Sequence, residues 1–265
     1  EGWQDYKQFM CALPERRKRA VVLRRVLQYA AIVAVILSCV YFFLKPIGSM
    51  DDLAIAYVDI TIPNERGVML TLADGEKVVV GNEKREVIFE KTGNVNIKQE
   101  GRNELVYENV KISEKRNVEE EAMNEITVPA GERVSIILSD GTKVWLNSES
   151  AIRYPVRFGI GKRVVTVKGN VYFEVTKDVS RPFFVVMKDM ETEVLGTSFE
   201  VNTYGDHGEI YMALVEGCVR VRSGNHVVVA KPNEQVALDL ESRKISTKEV
   251  DAARLVAWKD GVLMI

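Results

Sequence analysis

The sequence predicts a mainly β protein, an antiparallel β-rich domain that follows a single N-terminal transmembrane helix. Three observations predict it. Residues 26–44, VLQYAAIVAVILSCVYFFL, carry no charge and one strongly polar side chain, Gln28. After Pro46 the chain changes to short runs rich in Val, Ile, Phe, Tyr and Thr, divided by Asn, Asp and Gly. Asp74-Gly75 and Asp140-Gly141 each sit between apolar runs, the strongest short-range signal of a β-hairpin.

The apolar run comes first. As a helix it rises about 28 Å at roughly 1.5 Å per residue, close to the thickness of a bilayer's hydrocarbon core. A helix satisfies every backbone group inside lipid. Arg16, Arg17, Lys18, Arg19, Arg24 and Arg25 precede the run, whereas Lys45, Asp51 and Asp52 follow it. The positive-inside rule therefore places the N-terminal side in the cytoplasm and the long C-terminal part across the membrane. Tyr29, Tyr41, Phe42 and Phe43 lie towards the ends of the run, where aromatic anchors belong. Two plainer readings compete. A secretory signal peptide also opens with basic residues, but this run is long for one and Phe-Phe-Leu-Lys-Pro offers no small-residue cleavage site. A buried core helix would show a polar face, which is missing here.

Beyond Pro46, strand-like runs are expected at 68–72, 77–80, 133–138, 143–146, 163–168, 171–176, 183–187, 198–203, 218–222, 226–229 and 235–240. Several alternate with the period of two expected of a half-buried strand. A short helix is expected over 250–258, closed by Asp260-Gly261. There is also an internal echo. PNERGVMLTLADGEKVVV, from Pro63, resembles PAGERVSIILSDGTKVWL, from Pro129. At an offset of 66 residues Pro63, Leu72, Asp74, Gly75, Lys77 and Val78 match Pro129, Leu138, Asp140, Gly141, Lys143 and Val144. The echo suggests a duplicated hairpin, with both copies paired in one sheet. Between them, 113–125 carries Glu114, Glu119, Glu120 and Glu121 and reads as a loop or connector.

Composition narrows the function. A formal net charge of −2 gives no global case for nucleic-acid binding, and the basic residues beside the apolar run suit anionic lipid instead. Cys11, Cys39 and Cys218 fall on the cytoplasmic side, in the membrane and beyond it, so no two share a soluble compartment and no intrachain disulfide framework is expected. His207 and His226 are too few for most zinc sites, and CxxC pairs, Gly-rich phosphate loops and GxSxG elbows are absent from the sequence. No cofactor, no metal and no enzymatic activity are expected.

From Pro129 onward the chain resembles the FecR family, membrane-spanning anti-sigma regulators of Gram-negative bacteria. The resemblance rests on LSDGTKVWLNSESAIRYP (138–155), RVVTVKGNVYFEV (163–175), RPFFV (181–185), VLGTSFEVNTY (194–204) and LVEGCVRV (214–221), whose order and spacing fit the family pattern. The family-motif positions within them are Asp140, Gly141, Trp145, Asn147, Arg163, Gly169, Phe173, Glu174, Pro182, Phe183, Gly196, Thr197, Glu216 and Gly217. The upstream LTLADGEKVVV resembles an extended form in Bacteroides-like bacteria. Asn170 departs from the pattern, which usually has Glu before its aromatic pair.

The resemblance implies a circuit. A cytoplasmic N-terminal helical domain holds an extracytoplasmic-function sigma factor. The periplasmic part receives a signal from the signalling domain of a TonB-dependent outer-membrane transporter, and the sigma factor is then freed to transcribe uptake genes. Iron-siderophore complexes and glycans both fit as the transported ligand. On this reading, 1–25 is the cytoplasmic stub of an incomplete sigma-binding region and 26–44 the inner-membrane span. Residues 45–125 form a β-rich periplasmic segment with the first Asp-Gly hairpin, 126–248 the FecR-like β domain and 249–265 the start of a truncated C-terminal domain. The alternative is a non-enzymatic periplasmic scaffold or envelope-assembly protein anchored in the same membrane.

Individual residues have plain readings beside these. Asp74-Gly75 and Asp140-Gly141 could bind a partner, but a turn that tolerates positive φ is expected. Trp145, Tyr172 and Phe173 could form a recognition surface, and at strand spacing core packing is expected. Arg163 and Arg181 are candidates to pair with Glu174 or Asp178. His207, in Tyr204-Gly205-Asp206-His207-Gly208, reads as a solvated loop residue. Gly196-Thr197 is the sharpest chemical candidate, because some proteins resembling this one cleave themselves at a Gly-Thr bond. The Thr hydroxyl would attack the preceding Gly carbonyl, and water would hydrolyse the resulting ester. The plain reading is a glycine-containing bend before a strand.

Overall fold

The computed structural model of the chain describes residues 57–62, 67–81, 87–90, 95–100, 104–108, 122–205 and 208–261. The apolar run 26–44, the basic residues Arg16, Arg17, Lys18, Arg19, Arg24 and Arg25, most of the acidic connector, and His207 lie outside the described residues. Among the described residues no helix is long and apolar enough to cross a membrane.

The expectation of a mainly β domain holds. The strands are β1 (Val68–Thr71), β2 (Lys77–Val80), β3 (Val87–Glu90), β4 (Val95–Glu100), β5 (Glu104–Glu108), β6 (Met123–Val128), β7 (Val134–Ile137), β8 (Lys143–Leu146), β9 (Ser150–Pro155) and β10 (Arg163–Lys168). They continue with β11 (Asn170–Glu174), β12 (Phe183–Val186), β13 (Glu191–Val194), β14 (Ser198–Asn202), β15 (Glu209–Glu216), β16 (Val219–Ser223), β17 (His226–Ala230), β18 (Glu234–Asp239) and β19 (Ile245–Glu249). One sheet, the first, has the order β17-β16-β13-β12-β10-β9-β6-β1-β2, and the second has β19-β18-β15-β14-β11-β8-β7-β5-β4-β3. The first sheet contributes Leu70, Ile126, Ile152, Phe183, Val194 and Val221 to the core between them; the second contributes Ile136, Val144, Phe173, Phe199, Leu214 and Leu238. Burying each such side chain stabilises the fold by roughly 1.5–3 kcal/mol.

The order of strands in space nearly follows their order in the chain, because the chain alternates between the sheets as it advances. This explains one correction. The sheets are not purely antiparallel: β10 pairs β12 in parallel, as β5 does β7. In each case one strand, β11 or β6, is spent in the opposite sheet, so the chain returns in its former direction. Where a hairpin intervenes, as between β8 and β11 or β11 and β14, the chain returns reversed and the pairing is antiparallel. Local sequence carries no sign of how many strands intervene.

The Asp-Gly hairpins have the same turn. Leu72 N donates to Glu76 O at 2.8 Å and Gly75 N to Leu72 O at 2.9 Å; Leu138 N donates to Thr142 O at 2.8 Å and Gly141 N to Leu138 O at 2.9 Å. Gly75 and Gly141 take φ of 88° and 84°, open to glycine without strain. The copies do not share a sheet, however. β1-β2 ends the first sheet, whereas β7-β8 lies inside the second. Residues 123–125, read as connector, belong to β6, which runs across residues 125 and 126 and pairs with β1 and β9. Ile126 and Val128 are inward-facing, which outweighs the charge of Glu125 on the other face.

The expected C-terminal helix is shorter than 250–258. Val250 N is held by Asn233 O at 2.9 Å, so the helix α1 starts after the Asp251 cap and spans Ala252–Leu255. A 3-10 turn, Ala257–Asp260, follows and ends at Gly261 in the left-handed region. α1 rests on β15, with Ala252 and Val256 buried.

Candidate functional site

Several motif positions far apart in sequence meet at the hairpin turn of β7-β8. Arg163, the first residue of β10, is 0% exposed at its side chain and Asp140 is 3% exposed. Arg163 Nη1 lies 2.7 Å from Asp140 Oδ2 and also donates to Thr176 O at 2.9 Å, and Nε donates to Arg181 O at 2.9 Å. Its backbone N donates to Pro182 O at 2.8 Å, and its guanidinium stands 5.3 Å from the Phe183 ring centroid. Asp140 in turn accepts from Thr142 N at 3.0 Å and Thr142 Oγ1 at 2.8 Å. The pair is therefore hydrogen-bonded on both sides, as two charges held out of water must be. The expected partners of Arg163, Glu174 and Asp178, are not the ones it takes. Arg181 does pair with Asp178, at 2.8 Å, on a more exposed surface. Bonds from Ser180 and Arg181 hold the Asp178 carboxyl well below the usual range.

Phe173 packs inward as expected, and Phe183 packs inward beside it. Phe173 stacks on Phe199 with centroids 5.3 Å apart and meets Phe183 at 6.1 Å. Trp145 and Tyr172 do not join them. They pair across β8 and β11 on the outer face of the second sheet, with ring centroids 5.5 Å apart. Asn147, just past β8, accepts from Arg133 Nε at 3.0 Å, and Gly169 is the turn into β11.

Gly196-Thr197 lies beside Glu216-Gly217. Gly196 has φ of 150°, and a Cβ there would stand 2.6 Å from Lys177 Cα, so only glycine fits. Thr197 is buried, and its hydroxyl donates to Cys218 O at 3.1 Å. Valine 175 is tied to the same residue by Val175 N to Thr197 O at 3.0 Å. An open groove of about 440 Å³ adjoins this junction, and Gly141, Lys143, Glu174, Ser198 and Glu216 are among its lining residues. Thus Gly141, Glu174 and Glu216 share one groove, while Trp145, Asn147 and Gly169 lie elsewhere on the sheet.

The residues not foreseen lie on that outer face. Glu200, in β14, is in register between Tyr172 of β11 and Ala213 of β15, and it is 1% exposed. Trp258, in the 3-10 turn, covers it and donates Nε1–H to Glu200 Oε1 at 2.8 Å. Arg133 donates to Trp258 O at 3.0 Å and lies over the indole, 5.8 Å from its centroid. Lys259 stands over Trp145 and Tyr172 at 5.6 and 5.5 Å. Burial raises the Glu200 carboxyl to about 7, against the pull of Trp258 and Asn170, and also lifts the Tyr172 hydroxyl to about 12. The sequence signal was slight: a glutamate amid the apolar residues of SFEVN, and a tryptophan nine residues past the end of β19, closing the short run LVAW.

Comparison with known proteins bears on the same region. Residues 124–220 match the model of the family described as FecR protein. Two crystal structures of a proposed anti-sigma factor from Parabacteroides distasonis ATCC 8503, at 2.50 and 1.65 Å resolution, are each 34% identical to the chain in the aligned part. Their TM-scores are 0.51 and 0.50, and in both cases the match covers 52% of this chain and 65% of the other. The chain thus spans a little under two thirds of those structures. No curated protein matches it.

Proposed function

We propose that this chain, whose residues 124–220 belong to the FecR family, is a regulator of a sigma factor. The observation that carries the reading is the 34% identity to a proposed anti-sigma factor over a match that covers 52% of this chain. In the fuller form of the proposal, 26–44 crosses the inner membrane once and the N-terminal side contacts an extracytoplasmic-function sigma factor. The β domain then lies in the periplasm and answers the signalling domain of a TonB-dependent transporter. Information passes through protein contacts, and no catalytic step is needed. Charge placement around 26–44 supports the orientation. The exposed edge strand β19 and the groove beside Gly196-Thr197 are surfaces on which such a contact can form.

The test is to co-express the full-length protein with the sigma factor encoded beside it, and to measure co-purification and repression of a reporter. Binding with repression, both lost when the residues before 26 are removed, is the expected result. Well-expressed proteins that neither bind nor repress would overturn the reading and favour an envelope scaffold.

A further inference from the structure

The outer face of the second sheet holds a carboxyl where a sheet face of a small domain ordinarily meets water. Glu200 Oε1 has the indole N–H of Trp258. Glu200 Oε2 and Asn170 Oδ1 are both buried and, among the described residues, have no hydrogen-bond partner. Asn170 lies on β11 two residues from Tyr172, the residue in register with Glu200, so the two side chains are diagonal neighbours on one face. A donor for this pair comes either from the Asn170 amide N–H or from a proton on Glu200. A neutral Glu200 offers an O–H beside the Asn170 amide, whereas a carboxylate offers only acceptors. An ionised carboxyl held dry is costly even with the Trp258 indole and the Asn170 amide drawing on it.

We propose that Asp251–Asp260 is a releasable clasp, closed on the outer face of the second sheet while Glu200 is neutral and loosened when Glu200 ionises. The clasp is short, ten residues held by a few named contacts. α1 buries Ala252 and Val256 against β15, Trp258 covers Glu200, and Arg133 holds the Trp258 carbonyl. Other charged or titratable groups around the carboxyl are Tyr172 and Glu174 on β11, Tyr211 on β15, and Arg133, Lys259 and Asp260 at the clasp. Arg133 and Lys259 face aromatic rings. Burial is the largest influence on Glu200, followed by the opposing bonds of Trp258 and Asn170. In the closed state the carboxyl is pushed up from its ordinary 4.5 to about 7. Closure is therefore at full strength below about pH 4.5 and is lost as pH rises through about 7. Each tenfold difference in the Glu200 acid constant between the closed and open clasp changes the opening constant tenfold at high pH. The clasp is independent of the sigma-regulator reading, since it concerns the chain's own residues.

The test labels the full chain, in detergent micelles, with 5-fluorotryptophan. Trp3, Trp145 and Trp258 give three ¹⁹F resonances, assigned with W258F. Between pH 5 and 9 the Trp258 resonance is expected to move with a midpoint near neutrality, and that of Trp145 to follow as Lys259 leaves its ring. Glu200→Gln, neutral at every pH, should hold both at their low-pH positions. W258F removes the bond that favours the ionised form, so the Trp145 midpoint should rise. A Trp258 resonance that does not titrate, the same titration in Glu200→Gln, or an unmoved Trp145 midpoint in W258F would each overturn the clasp.

Discussion

Arg163 and Asp140 stand 2.7 Å apart with almost no access to water, joining the first residue of β10 to the turn between β7 and β8. Removing one partner leaves the other charge buried and unpaired, at about 3–5 kcal/mol. Asp140→Ala and Arg163→Met should each lower stability by about that much in urea unfolding, while the double variant should lose clearly less than the sum. Additive losses would mean that the two side chains act separately. Arg243 and Asp189 are also 2.7 Å apart, but Arg243 is 56% exposed, so Arg243→Ala should change stability far less than either variant of the buried pair.

Gly196 makes a second prediction possible. A methyl group there meets the Lys177 backbone at 2.6 Å, whereas one at Gly75 meets nothing within 4 Å. Both positions have positive φ, so both alanine variants bear conformational strain of roughly 1 kcal/mol. Gly196→Ala should be the more damaging by at least about 1 kcal/mol, because backbone must move. Equal midpoints in thermal unfolding would show that the close approach relaxes freely.

The Gly196-Thr197 bond should survive purification. The Thr197 hydroxyl is engaged with Cys218 O at 3.1 Å, and the residue is buried away from the water that would complete hydrolysis. Mass spectrometry after prolonged incubation at neutral pH should find the intact chain. A C-terminal product beginning at Thr197, absent in Thr197→Val, would establish self-cleavage.

The Asp-Gly hairpins and many of the apolar strands were legible because their signals are local, although β15, EIYMALVE, was not foreseen. The alternation of KVVV and KVWL around Asp-Gly turns needs no partner to be read. β4, VNIKQE, and β19, ISTKE, were not foreseen, since each is polar and its strand form depends on the neighbour it pairs with. β9, SAIRYP, hid behind a proline at its end. The partner of Arg163 was missed for a related reason. Glu174 and Asp178 are nearer along the chain, but β11 and β10 lie in opposite sheets, and the turn holding Asp140 reaches Arg163 instead. Glu200 was invisible because its burial depends on Trp258, fifty-eight residues away.

The near-collinear strand order has a consequence for biogenesis. From β6 onward, almost every strand finds its neighbour among those already made, so little of the sandwich must wait for distant chain. A polypeptide emerging N-terminus first from the ribosome can add strands in the order they appear, extending both sheets toward β17 and β19. The growing edge, rather than a central nucleus, is where a stalled or shortened chain would expose unpaired backbone.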